Sequence, residues 1–254
     1  MHALTSRDFP LAAGYKQALR DSKRLVFEFK PDRKSDFVRK FNAAEAYPEG
    51  DDIRRHVHPK TWQIITVNFS RVGLFGKAGR IGDTYLPHGI QQLRPWAIAY
   101  LFYPIRGYND FRGEGVDDYF AAEGRRSRKE LAGLETDDEH VEVLRGMNDI
   151  ESELILLDAI THREKARGEL HQIHAAWKKG DTATLWATLQ RGRNLNPGAD
   201  VRLLDIRNVN WVPKIRADFN SGTPTSIVVG AAHMLGPNGL IALLERNGFK
   251  FEQL

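Results

Sequence analysis

Apolar positions along this chain recur with two periods. Two short runs, Arg24-Leu25-Val26-Phe27-Glu28-Phe29 and Ile227-Val228-Val229, are dense in β-branched and aromatic residues and predict buried strands. A similar series surrounds each. The first is His2, a loop with Pro10, a helix over about 11–22 and the strand at 24–29. The second is the strand at 227–229, then Gly230-Ala231-Ala232-His233, a loop with Gly236-Pro237, a helix over about 238–246 and a strand at 249–251. Both are loop-helix-strand units headed by a histidine. The second has a buried strand in front of its histidine, so the expectation is that a strand is missing before His2.

Between these units the pattern is mostly helical. The segment 51–72 reads as helix interrupted at His58-Pro59, with Pro59 suited to a helix start. The glycine-rich stretch 74–87, with Lys77 and Arg80, lacks the Walker spacing and its Lys-Ser/Thr end, and reads as a connection. Pro95 and Trp96 open an apolar helix. The uncharged run from Trp96 to Ile105 is about half of what a membrane-spanning helix needs, so no transmembrane segment is expected. Gly115 to Phe120 starts another helix, with Asp117 either capping it or pointing into a site. A short strand at 130–135 precedes amphipathic helices at 137–145, 148–179 and 181–190, with Gly180-Asp181 ending one and capping the next. The expected fold is α/β. A central sheet comes from two related β-loop-α-β halves, with a mostly helical insertion over roughly 36–220, in a single domain covering 1–254.

Composition narrows the chemistry. The 254 residues are 41% hydrophobic, which excludes a disordered or fibrous chain. No cysteine is present, so disulfides, thiolate zinc sites and thiol nucleophiles are excluded, and His, Asp and Glu remain as metal-binding side chains. Lys and Arg number 37 against 33 Asp and Glu, a net charge of +4. The densest basic stretch, Lys16 to Lys40, is interleaved with Asp21, Glu28, Asp32 and Asp36. It reads as a solvated face, and no nucleic-acid partner is expected. His171 and His174 share a helix face but lack the glutamate of a His-Glu-x-x-His site, and His56 and His58 are equally nonspecific. The second unit is more specific. A parallel strand delivers its last residues to the carboxyl edge of a sheet, where open α/β folds place ligands, and the glycine three positions before His233 lets the backbone turn there.

Several pieces in order resemble the TraB/PrgY/GumN family, whose animal members include the Wnt-inactivating TIKI proteases. They are the early histidine and Glu28, Gly115-Val116-Asp117, Gly133-Leu134-Glu135-Thr136, Trp177-Lys178-Lys179-Gly180-Asp181 and Arg207-Asn208. They continue with Val229-Gly230-Ala231-Ala232-His233, Gly236-Pro237-Asn238-Gly239-Leu240 and Gly248-Phe249. The resemblance covers nearly the whole chain and is most specific in its last fifty residues. It implies two Gly-x-x-His motifs and a fold related to erythromycin esterase and the haem-linked protein ChaN. Gly230 to His233 matches the second motif in full, while Met1-His2 represents the first only by its end.

Two imidazoles and a carboxylate at a sheet edge form a facial ligand set for a divalent ion, which lowers the pKa of bound water. His2, Glu28 and His233 are the expected ligands, for manganese, cobalt or zinc. Glu135 is the expected proton carrier, and Arg207 either steadies an anionic intermediate or fixes a carboxylate. The reading is a metal-dependent hydrolase, peptidase-like, with a peptide or protein substrate. A metal-free variant has histidine and glutamate acting on water directly. The alternatives are a non-catalytic binder of haem, iron or a peptide signal, and an accessory role in exopolysaccharide production. A periplasmic or envelope location is expected if an upstream signal is missing, and otherwise a cytoplasmic one.

Overall fold

The computed structural model describes residues 3–31, 36–69, 79–81, 84–86, 88–102, 111 and 113–253. Among the described residues there are seven strands: β1 (Ala3–Leu4), β2 (Arg24–Phe29), β3 (Gly79–Ile81), β4 (Thr84–Leu86), β5 (Gly113–Glu114), β6 (Glu130–Glu135) and β7 (Thr225–Val228). A parallel sheet of order β6-β2-β7 positions the site. Its register sets Phe27 opposite Gly133 on one side and Val228 on the other, and Phe29 opposite Glu135. β1 pairs with β5, and β3 with β4, as short antiparallel ladders.

Helices follow in chain order. Before the sheet's second strand lies α1 (Ala13–Asp21), and between β2 and β5 come α2 (Phe37–Ala44), α3 (Pro59–Phe69) and α4 (Pro95–Phe102). α5 (Val116–Arg126) precedes β6. Then come α6 (Asp137–Arg145), α7 (Asp149–Thr161), α8 (Arg163–Lys179), α9 (Thr182–Arg193), α10 (Pro197–Asp200) and α11 (Ile206–Asn220). α12 (Ala231–Met234) and α13 (Leu240–Glu245) follow β7.

The central strand β2 is buried on both faces in its middle, and its two neighbours less so. Leu25 and Phe27 of β2 point to one side, where they pack with Leu19, Val116 and Phe120. Val26 points to the other, against Leu134, Trp211, Ile215, Leu240 and Leu244. α3, α4 and α7, with the turn at Ile53, share a further core built on Ile53, Ile65, Trp96, Ile98 and Leu156. The described residues between 36 and 220 are mostly helical, and β6 within that stretch belongs to the main sheet.

Several expectations change in detail. α3 starts at Pro59, and residues 53–55 form only a 3-10 turn. The segment 148–179 is two helices meeting at His162. The strand expected at 249–251 is not formed. Gly248 takes φ +89, and the Phe249 amide donates back to the Leu244 carbonyl at 3.1 Å, closing α13 with a left-handed stop. Of the glycine-rich stretch, Gly79 begins β3, while Gly76 and Gly82 lie outside the described residues.

The Gly180-Asp181 junction forms as read. Gly180 has φ +65, and Asp181 accepts from the Thr184 amide. Gly180→Ala is expected to cost about 1 kcal/mol in urea unfolding, because an L side chain strains this conformation. No change in the midpoint would show that the α8–α9 junction adapts freely.

Candidate functional site

Glu28 and Glu135 sit at or next to the carboxyl ends of two parallel strands, and His233 follows the third. Sequence fixes these positions locally. Thr136-Asp137-Asp138-Glu139 forms a capping box, Glu139 Oε2 accepting from the Thr136 amide at 2.7 Å, so β6 turns into α6 directly after Glu135. After β7, Gly230 leads into α12 with φ −58 and ψ 141, a backbone open to any residue, so this turn does not call for the glycine that the sequence suggested it needs. The Gly230 amide donates to Glu28 Oε1 at 2.8 Å, tying the second motif to β2.

Arg207 is the hub. It enters from α11 just after a π-helical stretch, Val201–Asp205, whose wider turn commonly marks functional positions. Nε donates to Glu135 Oε2 at 3.1 Å, and Nη2 to Glu135 Oε1 at 2.5 Å and to Glu28 Oε2 at 2.8 Å. Nη1 donates to the Leu203 carbonyl at 3.0 Å and to His233 Nε2 at 3.1 Å. These five contacts match the five N–H groups of a guanidinium, and a sixth, Nη2 to His140 Nδ1 at 3.3 Å, exceeds them. Arg207 is therefore committed to fixing carboxylates and a histidine, one of the two roles expected for it. Steadying an anionic intermediate would require it to surrender a bond.

His233 is 3% exposed and held in one tautomer. The Asn208 amide nitrogen donates to the carbonyls of Asn238 at 2.8 Å and His233 at 3.3 Å. This turns Asn208 Oδ1 toward His233 Nδ1 at 2.7 Å, so Nδ1 donates and Nε2 presents its lone pair. Nε2 lies 3.8 Å from Glu28 Oε2. Trp211 supports the group from below. Its ring lies 4.5 Å from that of His233 and 4.7 Å from the Arg207 guanidinium, and its indole N–H donates to Glu135 Oε2.

Burial alone would raise the Glu135 pKa. The hydrogen bonds from His140 and Arg207 and the Arg207 charge outweigh it and hold the carboxyl below its usual range. Burial alone would likewise depress Arg207, and Glu135 and Glu28 raise it.

The structure thus brings together four of the five expected residues: Glu28, Glu135, Arg207 and His233. His2 lies outside the described residues. Among the described residues no set of three or more His, Asp or Glu is arranged to hold a metal. His140 is a partner that sequence reasoning missed. Its Nδ1 lies 2.6 Å from Glu135 Oε1, and its ring packs on Phe29 and Phe37. Its signal was available: it lies in the first turns of the helix that Thr136 caps, on the heels of Glu135.

The other candidates settle elsewhere. Asp118, not Asp117, caps α5 by accepting from the Gly115 amide, while Asp117 lines the groove beside Glu28. His174 pairs with the buried Asp8 at 2.9 Å, which Lys178 also meets at 2.8 Å. His56 bridges Asp51 and Asp149 and stacks on Tyr47. The site opens on a groove of about 1560 Å³ that runs from Glu28 and His140 along β7.

No described helix is long and apolar enough to cross a membrane. Compared with the curated proteins and with the solved structures, the chain finds no match. The described family of proteins TraB/PrgY/gumN does match, over residues 1–253, and to that family the chain belongs.

Proposed function

We propose that this chain is a hydrolase acting on peptide bonds, with its reacting centre at Glu28, Glu135, Arg207 and His233. The observation that carries the reading is the convergence of these groups from four elements on the carboxyl edge, at the end of a groove. In this reading the sheet is completed in the manner of erythromycin esterase and ChaN, from two related β-loop-α-β halves.

The donors suit a divalent ion in two respects. With neutral histidines, Glu28, Glu135 and Arg207 sum to a charge of −1, which favours a cation. His233 also has the tautomer of a metal ligand, its Nδ1–H held by an acceptor and Nε2 available once Arg207 yields it. His2, Glu28 and His233 would hold the ion, which supplies a water of lowered pKa. Glu135, whose Oε1 meets both His140 and Arg207, would receive the proton from water by giving up one of these bonds, and Arg207 keeps both carboxylates in place.

The test is metal content by elemental mass spectrometry on protein purified without affinity metals, after reconstitution with manganese, cobalt or zinc, alongside cleavage of a fluorogenic peptide mixture. About one ion per chain, lost in His233→Ala together with chelator-sensitive cleavage, is the expected result. Cleavage without any metal would move the reading to the metal-free variant. A Soret band on adding haem, with no cleavage, would replace hydrolysis by binding.

A further inference from the structure

Between α12 and α13 the chain runs through Gly236-Pro237-Asn238-Gly239, and α11 with the π-helical stretch before it grips this loop twice at Asn238. The Asn238 side-chain amide donates to Asp205 Oδ2 at 2.9 Å, and the Asn238 carbonyl accepts from the Asn208 side chain at 2.8 Å. Asp205 and Asn208 are spaced i,i+3, which puts both on one helix face. Asp205 is the last residue of the π-helical stretch, and α11 begins directly after it.

The grip is braced from α9. Arg193 Nη2 donates to the same Asp205 oxygen at 2.8 Å, in a pair whose side chains are 18% and 13% exposed. The Arg193 guanidinium lies 5.8 Å from the Trp186 ring, and Trp186 presses on the loop. A Cβ at Gly236 would fall 2.1 Å from that ring, and Gly236 takes φ +82, so only glycine fits here without strain. α9 therefore holds the loop at Gly236 directly and at Asn238 through Asp205.

The consequence reaches His233. A carboxamide offers an oxygen on one side and a nitrogen on the other. While the Asn238 carbonyl takes the Asn208 nitrogen, Oδ1 faces His233 Nδ1 at 2.7 Å. The other bond of that nitrogen, to the His233 carbonyl, is longer at 3.3 Å and orients Asn208 less firmly. We propose that Asp205 is a positioning residue for His233, acting through Asn238 and Asn208 to keep the bond from His233 Nδ1–H closed. Arg207 donates to Nε2 and favours the same tautomer, so Asp205 governs how firmly the ring is held, not which nitrogen carries the proton. The use of this hold in catalysis rests on the hydrolytic reading, and the hold itself does not.

The test follows exchange of the His233 Nδ1 proton by NMR in the 15N-labelled whole chain at one pH, with the Val26 amide of β2 as the gauge of global opening. Asn238 is exposed, so Asn238→Ala removes its side-chain amide without leaving a cavity and keeps its carbonyl. One hydrogen bond lost from the hold should speed Nδ1 exchange at least about fivefold in Asn238→Ala and in Asp205→Ala. The double variant should exchange no faster than Asp205→Ala alone. Asp205→Asn keeps an acceptor for Asn238 and should restore the parent rate, while Val26 exchange stays unchanged. Should Asp205→Ala fail to fold, Asn238→Ala and Asp205→Asn decide the matter. Three outcomes overturn the proposal: unchanged Nδ1 exchange in Asn238→Ala, independent effects that multiply in the double variant, or Val26 exchange rising in step with Nδ1. Faster Nδ1 exchange in a chain that cleaves no peptide would leave the positioning standing while the hydrolytic reading falls, and cleavage with unchanged Nδ1 exchange would do the reverse.

Discussion

Replacing Arg207 with alanine is expected to lower the unfolding free energy by about 3–5 kcal/mol, the cost of leaving buried carboxylates without their cation. The side chains of Glu135 and Glu28 are 5% and 13% exposed, and both rely on Arg207 Nη2. Arg207→Lys should recover part of the loss, since an ammonium restores the charge without the fork that reaches Glu28, Glu135, Leu203 and His233 together. The penalty also has a sign in pH. The Glu135 pKa is depressed in the fold, so its contribution is present above the ordinary carboxylate range and is lost as pH falls through the folded value. Removing Arg207 lets Glu135 take up a proton more easily, so the gap between the two proteins should narrow in acid. Urea titrations at pH 7 and pH 4 measure both effects. A difference below about 1 kcal/mol at pH 7 would mean that the carboxylates are hydrated and the cluster is a surface network.

How much of this centre was legible depended on whether local pattern decided it. β2 and β7 were readable because dense β-branched and aromatic runs have few other uses, whereas the turn to His233 passes Gly230 at an ordinary φ of −58 and does not depend on glycine. Glu28 and Glu135 followed as residues at strand ends. Their shared dependence on one arginine was harder to see. The salt bridge from Arg207 to Glu135 was anticipated as a rival to a catalytic role, but the bonds to Glu28 and His233 span 179 and 26 residues and follow only from the packing of α11. His140 was missed for a related reason. Its value comes from the capping box that folds α6 back beside Glu135, not from a motif in which histidine is itself conspicuous.

The ends of the sheet were the least legible part. Phe249-Lys250-Phe251 alternates like a strand, but Gly248 with φ +89 makes Phe249 the residue that closes α13, and its ring packs on Phe219 at 4.9 Å. A glycine stop and a strand start share the same short signature, and the deciding contact lies some thirty residues away in the chain. β7 shows the reverse. Its sequence reads as a buried strand, but β7 stands at the edge of the three-stranded sheet and all four of its residues are only half-buried.

A second large effect is expected at Glu45, in the helical core, where a carboxyl is buried without a cation. Glu45 is 8% exposed, and its Oε1 has no hydrogen-bond partner among the described residues. Arg94, bonded to Glu45 through the backbone, turns its side chain elsewhere. The Arg94 backbone amide donates to the Glu45 carbonyl at 2.7 Å, but its guanidinium lies over the Tyr47 ring. Burial therefore pushes the Glu45 carboxyl from its ordinary 4.5 up to about 7. The folded state holds this proton more tightly than the unfolded one. The associated stability is complete below the unfolded value, declines as pH rises and is gone above about 7. Glu45→Gln keeps the shape and removes the titration, so it should gain about 3 kcal/mol over the parent at pH 8 and almost nothing at pH 4. Thermal or urea unfolding across that range reads the difference directly. A gain of equal size at both ends would reduce the effect to better packing. A loss at pH 8 would mean that the ionised carboxylate has found a partner, and that this pocket, like the one around Arg207, was built to hold a charge.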